Sequence, residues 1–104
     1  MFATIRRYEA IDQARTSELV KKHDETLLSS LSELPGFSGY YLIEAGNGVM
    51  SSIGLFDTEA QADESTRLAS NWVREQKLDT ALPNPPKITS GEVVVHKTSE
   101  LVQA

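Results

Sequence analysis

Two apolar segments meet at Gly46-Asn47-Gly48 in the middle of the chain, and this junction constrains the fold more than any other part of the sequence. Residues 37–45 and 49–56 on either side carry the aromatic and branched side chains that favour strands. Glycine and asparagine tolerate the positive φ angles that a tight hairpin turn requires. The sequence therefore predicts an antiparallel hairpin, around which the rest of the fold must be built.

The segment before the hairpin predicts a strand and then a helix. Residues 2–8 are short and hold β-branched and aromatic side chains, as a strand does. Asp12 is suited to cap a helix that runs to residue 34, where Pro35-Gly36 ends the pattern. The apolar positions of this helix recur at helical spacing: Val20, Leu27, Leu28, Leu31 and Leu34.

The segment after the hairpin predicts a second helix and a last strand. Thr58 and Gln61 match the capping box that opens a helix. This helix is expected to reach about residue 78, because Pro83-Asn84-Pro85-Pro86 cannot continue it. Residues 87–97 predict the last strand. One face of the helix is apolar and consists of Leu68, Ala69, Trp72 and Val73.

The order strand, helix, strand, strand, helix, strand predicts a ferredoxin-like α+β fold. We expect a four-stranded antiparallel sheet with both helices on one face, in a single domain that spans residues 1–98. Residues 99–104 are expected to form a short C-terminal tail.

The apolar runs in two strands predict a homodimer. Residues 40–43 are four aromatic or aliphatic side chains in a row, and residues 93–95 are three valines. A sheet with water on one face should alternate apolar and polar residues, and these strands do not. Pairing of sheets in a two-fold dimer would cover the second face, whereas a monomer would leave several aromatic side chains exposed.

Composition excludes several function classes. The net charge of −5, with scattered basic residues, argues against nucleic-acid binding, which depends on phosphate contacts. The chain has no cysteine, so disulfides, thiolate metal sites and a cysteine nucleophile are excluded. No segment approaches the roughly 20 apolar residues of a membrane span, and residues 1–8 lack the apolar core of a signal peptide. A cytoplasmic protein is expected.

Three features together resemble a known superfamily. These are the element order, the turn at Leu34-Pro35-Gly36-Phe37 followed by Gly39-Tyr40, and the Phe56 to Ala62 segment that opens the second helix. The chain resembles the dimeric α/β-barrel superfamily, and within it the antibiotic-biosynthesis-monooxygenase-like domains. The resemblance implies a small pocket between sheet and helices. Some members oxidise aromatic polyketides without metal or flavin, and others degrade haem or bind ligands.

The resemblance to the haem-degrading members is incomplete. Trp72 matches their helix tryptophan, but they also carry an asparagine on the first strand and a histidine after the tryptophan. Here the first strand offers Arg6 and Arg7, and residues 73–77 contain no histidine. The two histidines of the chain are far apart and form no metal-binding motif, so neither a metal nor a cofactor is expected.

His23 is the candidate catalytic residue. It lies on the apolar stripe of the first helix, and a near-neutral pKa suits a histidine to proton transfer. The alternative is a histidine that only bonds a neighbour at the edge of the stripe. Trp72 is a candidate for stacking on a flat substrate, and the alternative is core packing.

Three further side chains are candidates for binding the substrate. Arg6 and Arg7 point to opposite sheet faces, as do Tyr40 and Tyr41, and the sequence leaves open which member of each pair reaches the pocket. Arg7 and Tyr40 are taken as the candidates, with a salt bridge or packing as the alternatives. His96 follows the valines and is expected at the barrel or its rim, unless it is a solvated strand end.

Two functions follow from these residues and from the resemblance. The first is a cofactor-independent monooxygenase-like enzyme that acts on a small apolar or aromatic molecule, with a histidine that assists deprotonation. The second is a non-catalytic dimeric ligand-binding or stress-response module.

Overall fold

A computed structural model describes residues 1–97 of the chain, and the predicted tail lies outside the described residues. The strands are β1 (Phe2–Tyr8), β2 (Phe37–Gly46), β3 (Val49–Phe56) and β4 (Lys87–Glu92). The helices are α1 (Thr16–Lys22), α2 (Leu28–Ser32) and α3 (Glu59–Glu75). All pairings are antiparallel, in the order β2-β3-β1-β4. The predicted ferredoxin-like fold is confirmed.

The predicted hairpin joins β2 to β3. Gly46, Asn47 and Gly48 all have positive φ angles, between 54° and 80°. The Asn47 conformation is one that asparagine adopts more readily than most other residues. The turn sets the register of the two strands, so that Tyr40 lies opposite Gly54.

The first helical segment, residues 13–32, is irregular in its middle. A 3-10 turn at Gln13–Arg15 leads into α1, and a π-helical turn at His23–Leu27 separates α1 from α2. The buried residues recur at every fourth position: Leu19, His23, Leu27 and Leu31. In a regular α-helix such a series would rotate by about 40° per step, and the wider π turn compensates for this drift.

This irregularity corrects one detail of the sequence analysis. Val20, which the regular spacing places in the core, is exposed, and Leu19 is buried instead. The predicted residues Leu27 and Leu31 are buried as expected. The buried face of α1 is therefore displaced by one residue, and the helical segment ends at Ser32, two residues before the predicted end at Leu34.

Helix α3, which is the second helix predicted from the sequence, begins where the sequence predicts. The Thr58 hydroxyl accepts a hydrogen bond from the Gln61 backbone N–H at 3.3 Å, and the Gln61 side chain accepts one from the Thr58 backbone N–H at 3.1 Å. Gly36, at φ 77°, lies against this capping box, since a Cβ there would stand 2.0 Å from Gln61 Oε1. The turn before β2 and the start of α3 therefore lock together.

The last strand is shorter than predicted. β4 ends at Glu92, which pairs with Phe2 at the start of β1. Val93 still donates its backbone N–H to the Met1 carbonyl, but beyond that point β1 offers no partner. Val94 and Val95 are 85% and 87% exposed. They lie outside the sheet and contribute nothing to the apolar character of its faces.

The helices cover one face of the sheet. Alternate residues of β1 and β3, among them Arg6, Tyr8 and Met50, are buried beneath them. The opposite face, called the open face, carries Ile5, Tyr41, Ile43, Ile53 and Leu55. Ile5, Tyr41 and Ile43 are exposed there, and Tyr41 is 62% exposed. The apolar run at residues 40–43 thus divides between the two faces.

Candidate functional site

A pocket of about 610 Å³ opens between the first helical segment and β2, on the helix-covered side of the sheet. We call it the His23 pocket. It lies within the size range of small-molecule sites, roughly 300–1,000 Å³. Its wall combines aliphatic side chains with a charged rim and consists of Thr16, Ser17, Val20, Lys21, His23, Asp24, Leu28, Tyr40, Leu42 and Glu44.

His23 is held in the wall of this pocket by the π-helical turn. Its side chain is 7% exposed, and Nδ1 lies 2.9 Å from the Leu19 carbonyl oxygen. A carbonyl oxygen can only accept, so Nδ1 carries the proton of this bond. In the neutral ring, Nε2 is therefore the nitrogen with a free lone pair.

The surroundings of His23 favour the neutral ring. Burial lowers the pKa of His23, the bond to the Leu19 carbonyl raises it, and the positive charge of Arg6 lowers it further, with a net decrease from the ordinary value. A histidine with a lowered pKa is unprotonated near pH 7 and is available as a proton acceptor. The site therefore combines a neutral base with a cavity of ligand size.

Two aromatic residues fix the orientation of the His23 ring. Trp72 meets it edge-on with ring centroids 4.7 Å apart, and Tyr40 stacks on it at 6.5 Å with an interplanar angle of 24°. The Trp72 indole N–H donates to Thr26 Oγ1 at 2.7 Å, and the Thr26 hydroxyl donates to the Lys22 carbonyl at 2.7 Å. Trp72 thus supports His23 from the α3 side, and its N–H is already engaged.

The structure brings three of the five sequence-predicted site residues together: His23, Tyr40 and Trp72. His23 and Tyr40 line the His23 pocket, while Trp72 lies behind His23, outside the lining residues. Of the two adjacent tyrosines, Tyr40 is on the pocket side and Tyr41 is on the open face.

The other two predicted residues, Arg7 and His96, lie elsewhere. Arg7 is exposed, and its Nε lies 2.9 Å from Glu9 Oε2, so the salt bridge that the sequence offered as the alternative is present. His96 is exposed beyond the end of β4. Arg6 is the arginine of the pair that points beneath the helices, and it is only 2% exposed.

The structure adds site residues that sequence reasoning missed. Lys21, Asp24 and Glu44 form the charged rim of the His23 pocket, and Val20 and Leu28 belong to its wall. Lys21 and Asp24 lie within two residues of His23 in the chain, and this proximity was the one sequence feature that could have indicated their place at the pocket. Glu44 comes from β2, and only the packing of the helix against that strand brings it to the rim.

Arg6 lines a second, smaller cavity of about 240 Å³ between β1, β4 and α3, which we call the Arg6 cavity.

Within residues 1–97, no three histidine, aspartate or glutamate side chains cluster as a metal ion would require. In the same residues, no helix has the length and apolar character needed to cross a membrane.

Comparison with known proteins supports the fold. No family model matches the chain, and neither does any curated protein sequence. Among solved structures, the chain is similar to the monooxygenase ActVA-Orf6 of Streptomyces coelicolor, in complex with nanaomycin D, with a TM-score of 0.72 and 17% identity. That match covers 95% of this chain and 92% of the other.

Two further structures show the same architecture. An antibiotic biosynthesis monooxygenase matches with a TM-score of 0.70 and 14% identity over 91% of this chain and 100% of the other. A dimeric ferredoxin-like protein from an uncultured marine organism matches with a TM-score of 0.63 and 15% identity over 94% and 97%. The structural resemblance to antibiotic-biosynthesis-monooxygenase-like proteins, predicted from the sequence, is confirmed at the level of the fold.

Proposed function

We propose that the chain is a small-molecule enzyme of the cofactor-independent monooxygenase-like type, in which His23 removes a proton from a substrate in the His23 pocket. The observation that carries this proposal is the anchored His23 imidazole, whose pKa is lowered by burial, in the wall of a cavity of about 610 Å³. A general base needs a lone pair, a fixed orientation and a pKa that leaves it unprotonated at the working pH.

The wall of the pocket suggests the substrate class. Val20, Leu28 and Leu42 offer an apolar surface, and Tyr40 adds an aromatic ring with a hydroxyl group. Such a wall suits a flat, largely apolar molecule with few polar groups. The complex of the Streptomyces monooxygenase with nanaomycin D is consistent with this class of ligand.

The proposed reaction balances with dioxygen as the only co-reactant. Nε2 of His23 takes a proton from a phenolic or benzylic position, and the resulting anion is electron-rich enough to reduce dioxygen directly. At a CH₂ group flanked by aromatic rings, loss of both hydrogens gives a carbonyl and one water. One oxygen atom enters the product, the other leaves as water, and all four electrons come from the substrate.

Oxygen consumption tests this proposal. The purified chain is incubated with a panel of phenols, quinols and anthrones, alongside His23→Ala and the matched control His96→Ala. We expect turnover with at least one compound, and a fall of about 10²- to 10⁴-fold in kcat for His23→Ala, as for loss of a general base. His96→Ala should keep full activity. Equal turnover in His23→Ala and the unmodified chain would refute a role for His23.

One observation favours the alternative of a non-catalytic ligand-binding module. The partner of His23 Nδ1 is a neutral carbonyl and not a carboxylate, so the imidazolium formed by proton transfer receives less stabilisation. In that case ligands would bind in the His23 pocket without oxygen uptake. His23→Ala would then change only their affinity.

A homodimer formed through the open faces is the proposed assembly. The exposed side chains of Ile5, Tyr41 and Ile43 form an apolar surface that a second copy of the sheet would cover. The dimeric ferredoxin-like relative is consistent with this arrangement. A cytoplasmic location is proposed as well, because a chain without cysteine has no need of an oxidising compartment.

Sedimentation of charged variants tests the dimer. Ile43→Lys places a charge on the open face and should dissociate the dimer, because an unpaired charge is costly to bury. Val94→Lys changes an exposed valine outside the sheet and should leave the mass of the particle unchanged. A unit of single-chain mass at micromolar concentration for the unmodified protein would contradict the assembly.

A further inference from the structure

Among residues 1–97, Arg6 is a buried cation without an acidic partner. Its Nη1 donates to Thr66 Oγ1 at 3.3 Å and to Ser65 Oγ at 3.5 Å, and both acceptors are neutral. In the part of the chain that the structure describes, no carboxylate oxygen lies within 4.0 Å of its guanidinium nitrogens. Burial of a charge is costly unless an opposite charge compensates it.

The strand next to Arg6 supplies a second group with unused hydrogen-bonding capacity. Ser52 on β3 is the direct partner of Arg6 in the sheet and is 1% exposed. Its Oγ has no hydrogen-bond partner within residues 1–97. Buried hydroxyl groups are nearly always paired, by protein or by water. Two neutral hydroxyl groups therefore contact the buried guanidinium, a third unpaired hydroxyl lies on the neighbouring strand, and no carboxylate of the described residues pairs with it.

The Arg6 cavity has the lining expected of a site for an organic anion. Arg74 contributes a second guanidinium group, and none of the lining residues is Asp or Glu, although the chain carries fifteen acidic residues. Thr66 adds a hydroxyl group, while Leu82 and Pro86 provide an apolar wall. Its volume of about 240 Å³ is below the range of drug-sized pockets.

We propose that the Arg6 cavity binds a small monocarboxylic acid with an aromatic or branched aliphatic body. The carboxylate would pair with the planar Arg6 guanidinium, whose donors match it in a bidentate arrangement. The hydrocarbon body would pack against Leu82 and Pro86. Arg74 is exposed and its charge is screened by solvent, so Arg6 is the one buried cation of the cavity. One buried cation compensates one negative charge, which favours a monocarboxylate over a phosphate. The proposal does not depend on the role of His23.

The test uses benzoate as the probe and benzamide as its neutral counterpart. Titration calorimetry measures affinity, and backbone amide NMR shifts locate the site. We expect benzoate to bind saturably and to shift Thr66, Ser70 and Val73, with benzamide at least about tenfold weaker, as loss of a charged hydrogen bond implies. Equal affinities for benzoate and benzamide would refute the role of charge, and absence of saturable benzoate binding would refute the site.

Two methionine variants separate the two adjacent arginines. Arg6→Met removes the buried cation and should weaken benzoate binding by about tenfold or more, whereas Arg7→Met removes an exposed cation and should have no effect. Unchanged binding in Arg6→Met would overturn the proposal. If Arg6→Met does not fold, the comparison of benzoate with benzamide on the unmodified chain still decides. If inorganic phosphate binds more tightly than benzoate and displaces it at a concentration below that of benzoate, the assignment to a carboxylic acid is overturned.

Discussion

Replacement of His23 by alanine should lower stability by an amount that the structure allows us to work out. The mutation removes the Nδ1–Leu19 bond, worth about 0.5–1.5 kcal/mol, and the edge-on contact with Trp72, of about the same size. The Leu19 carbonyl keeps its bond to the backbone N–H of residue 23, so no acceptor is left unpaired. The expected loss in the free energy of unfolding is about 1–3 kcal/mol.

The same variant should lose a pH dependence that the unmodified chain has. Because burial lowers the pKa of His23 in the folded state, acidification protonates this side chain first in the unfolded chain, where the pKa is about 6.5. The contribution of His23 is complete above that pH and is lost as the pH falls through the lower folded-state value. One proton accounts for at most about 1.4 kcal/mol per pH unit.

Urea unfolding followed by circular dichroism at several pH values measures both effects. A loss of 2 kcal/mol would lower the thermal midpoint of a domain of this size by about 8–16 °C. His96→Ala is the control, and it should change the free energy by less than about 0.5 kcal/mol because the side chain is exposed. If His23→Ala and His96→Ala destabilise equally, or if His23→Ala keeps the full acid sensitivity, the described environment of His23 is wrong.

Three other variants test the fold by unfolding free energy. Leu31→Ala empties a fully buried position and should cost about 2–5 kcal/mol; a cost below 1 kcal/mol would contradict its place in the core. Thr58→Ala removes one half of the capping box and should cost about 0.5–2 kcal/mol, with Thr58→Ser as a control that restores stability. Gly36→Ala should cost more than about 1 kcal/mol, because its φ is 77° and the new Cβ meets Gln61 Oε1; a neutral result would contradict this packing.

Local signals in the sequence predicted the hairpin and the start of α3 correctly. The turn at residues 46–48 depends on the backbone preferences of its own glycine and asparagine residues. The capping box depends on Thr58 and Gln61, three positions apart. Such interactions form within a few residues, and they need no knowledge of the rest of the fold.

The faces of β1 could not be predicted, because neither side of the strand is consistently apolar. Ile5 lies on the open face and Arg6 beneath the helices, the reverse of what hydrophobicity alone suggests. Thr4 and Tyr8 share the buried side with Arg6. The register with β3 fixes these orientations, and it is a property of the assembled sheet.

The end of β4 and the irregularity of the first helical segment could not be predicted from the sequence either, because they depend on residues distant in the chain. The three valines at 93–95 have strong strand propensity, yet β4 ends at Glu92 because β1 begins at Phe2 and offers no further pairing. In the first helical segment, an assumption of regular α-helical spacing placed Val20 inside. The π-helical turn, which brings His23 into line with Leu19, breaks that spacing.

The tautomer of His23 decides whether the proposed chemistry is possible, since proton removal by this ring requires a bare Nε2. Long-range nitrogen–hydrogen NMR correlations on ¹⁵N-histidine-labelled protein distinguish the two ring nitrogens. We expect that near pH 7 the His23 proton is on Nδ1, bonded to the Leu19 carbonyl, and that Nε2 is unprotonated. A proton on Nε2 at that pH would contradict this, because the bare nitrogen would then be Nδ1, which faces the Leu19 carbonyl and not a substrate.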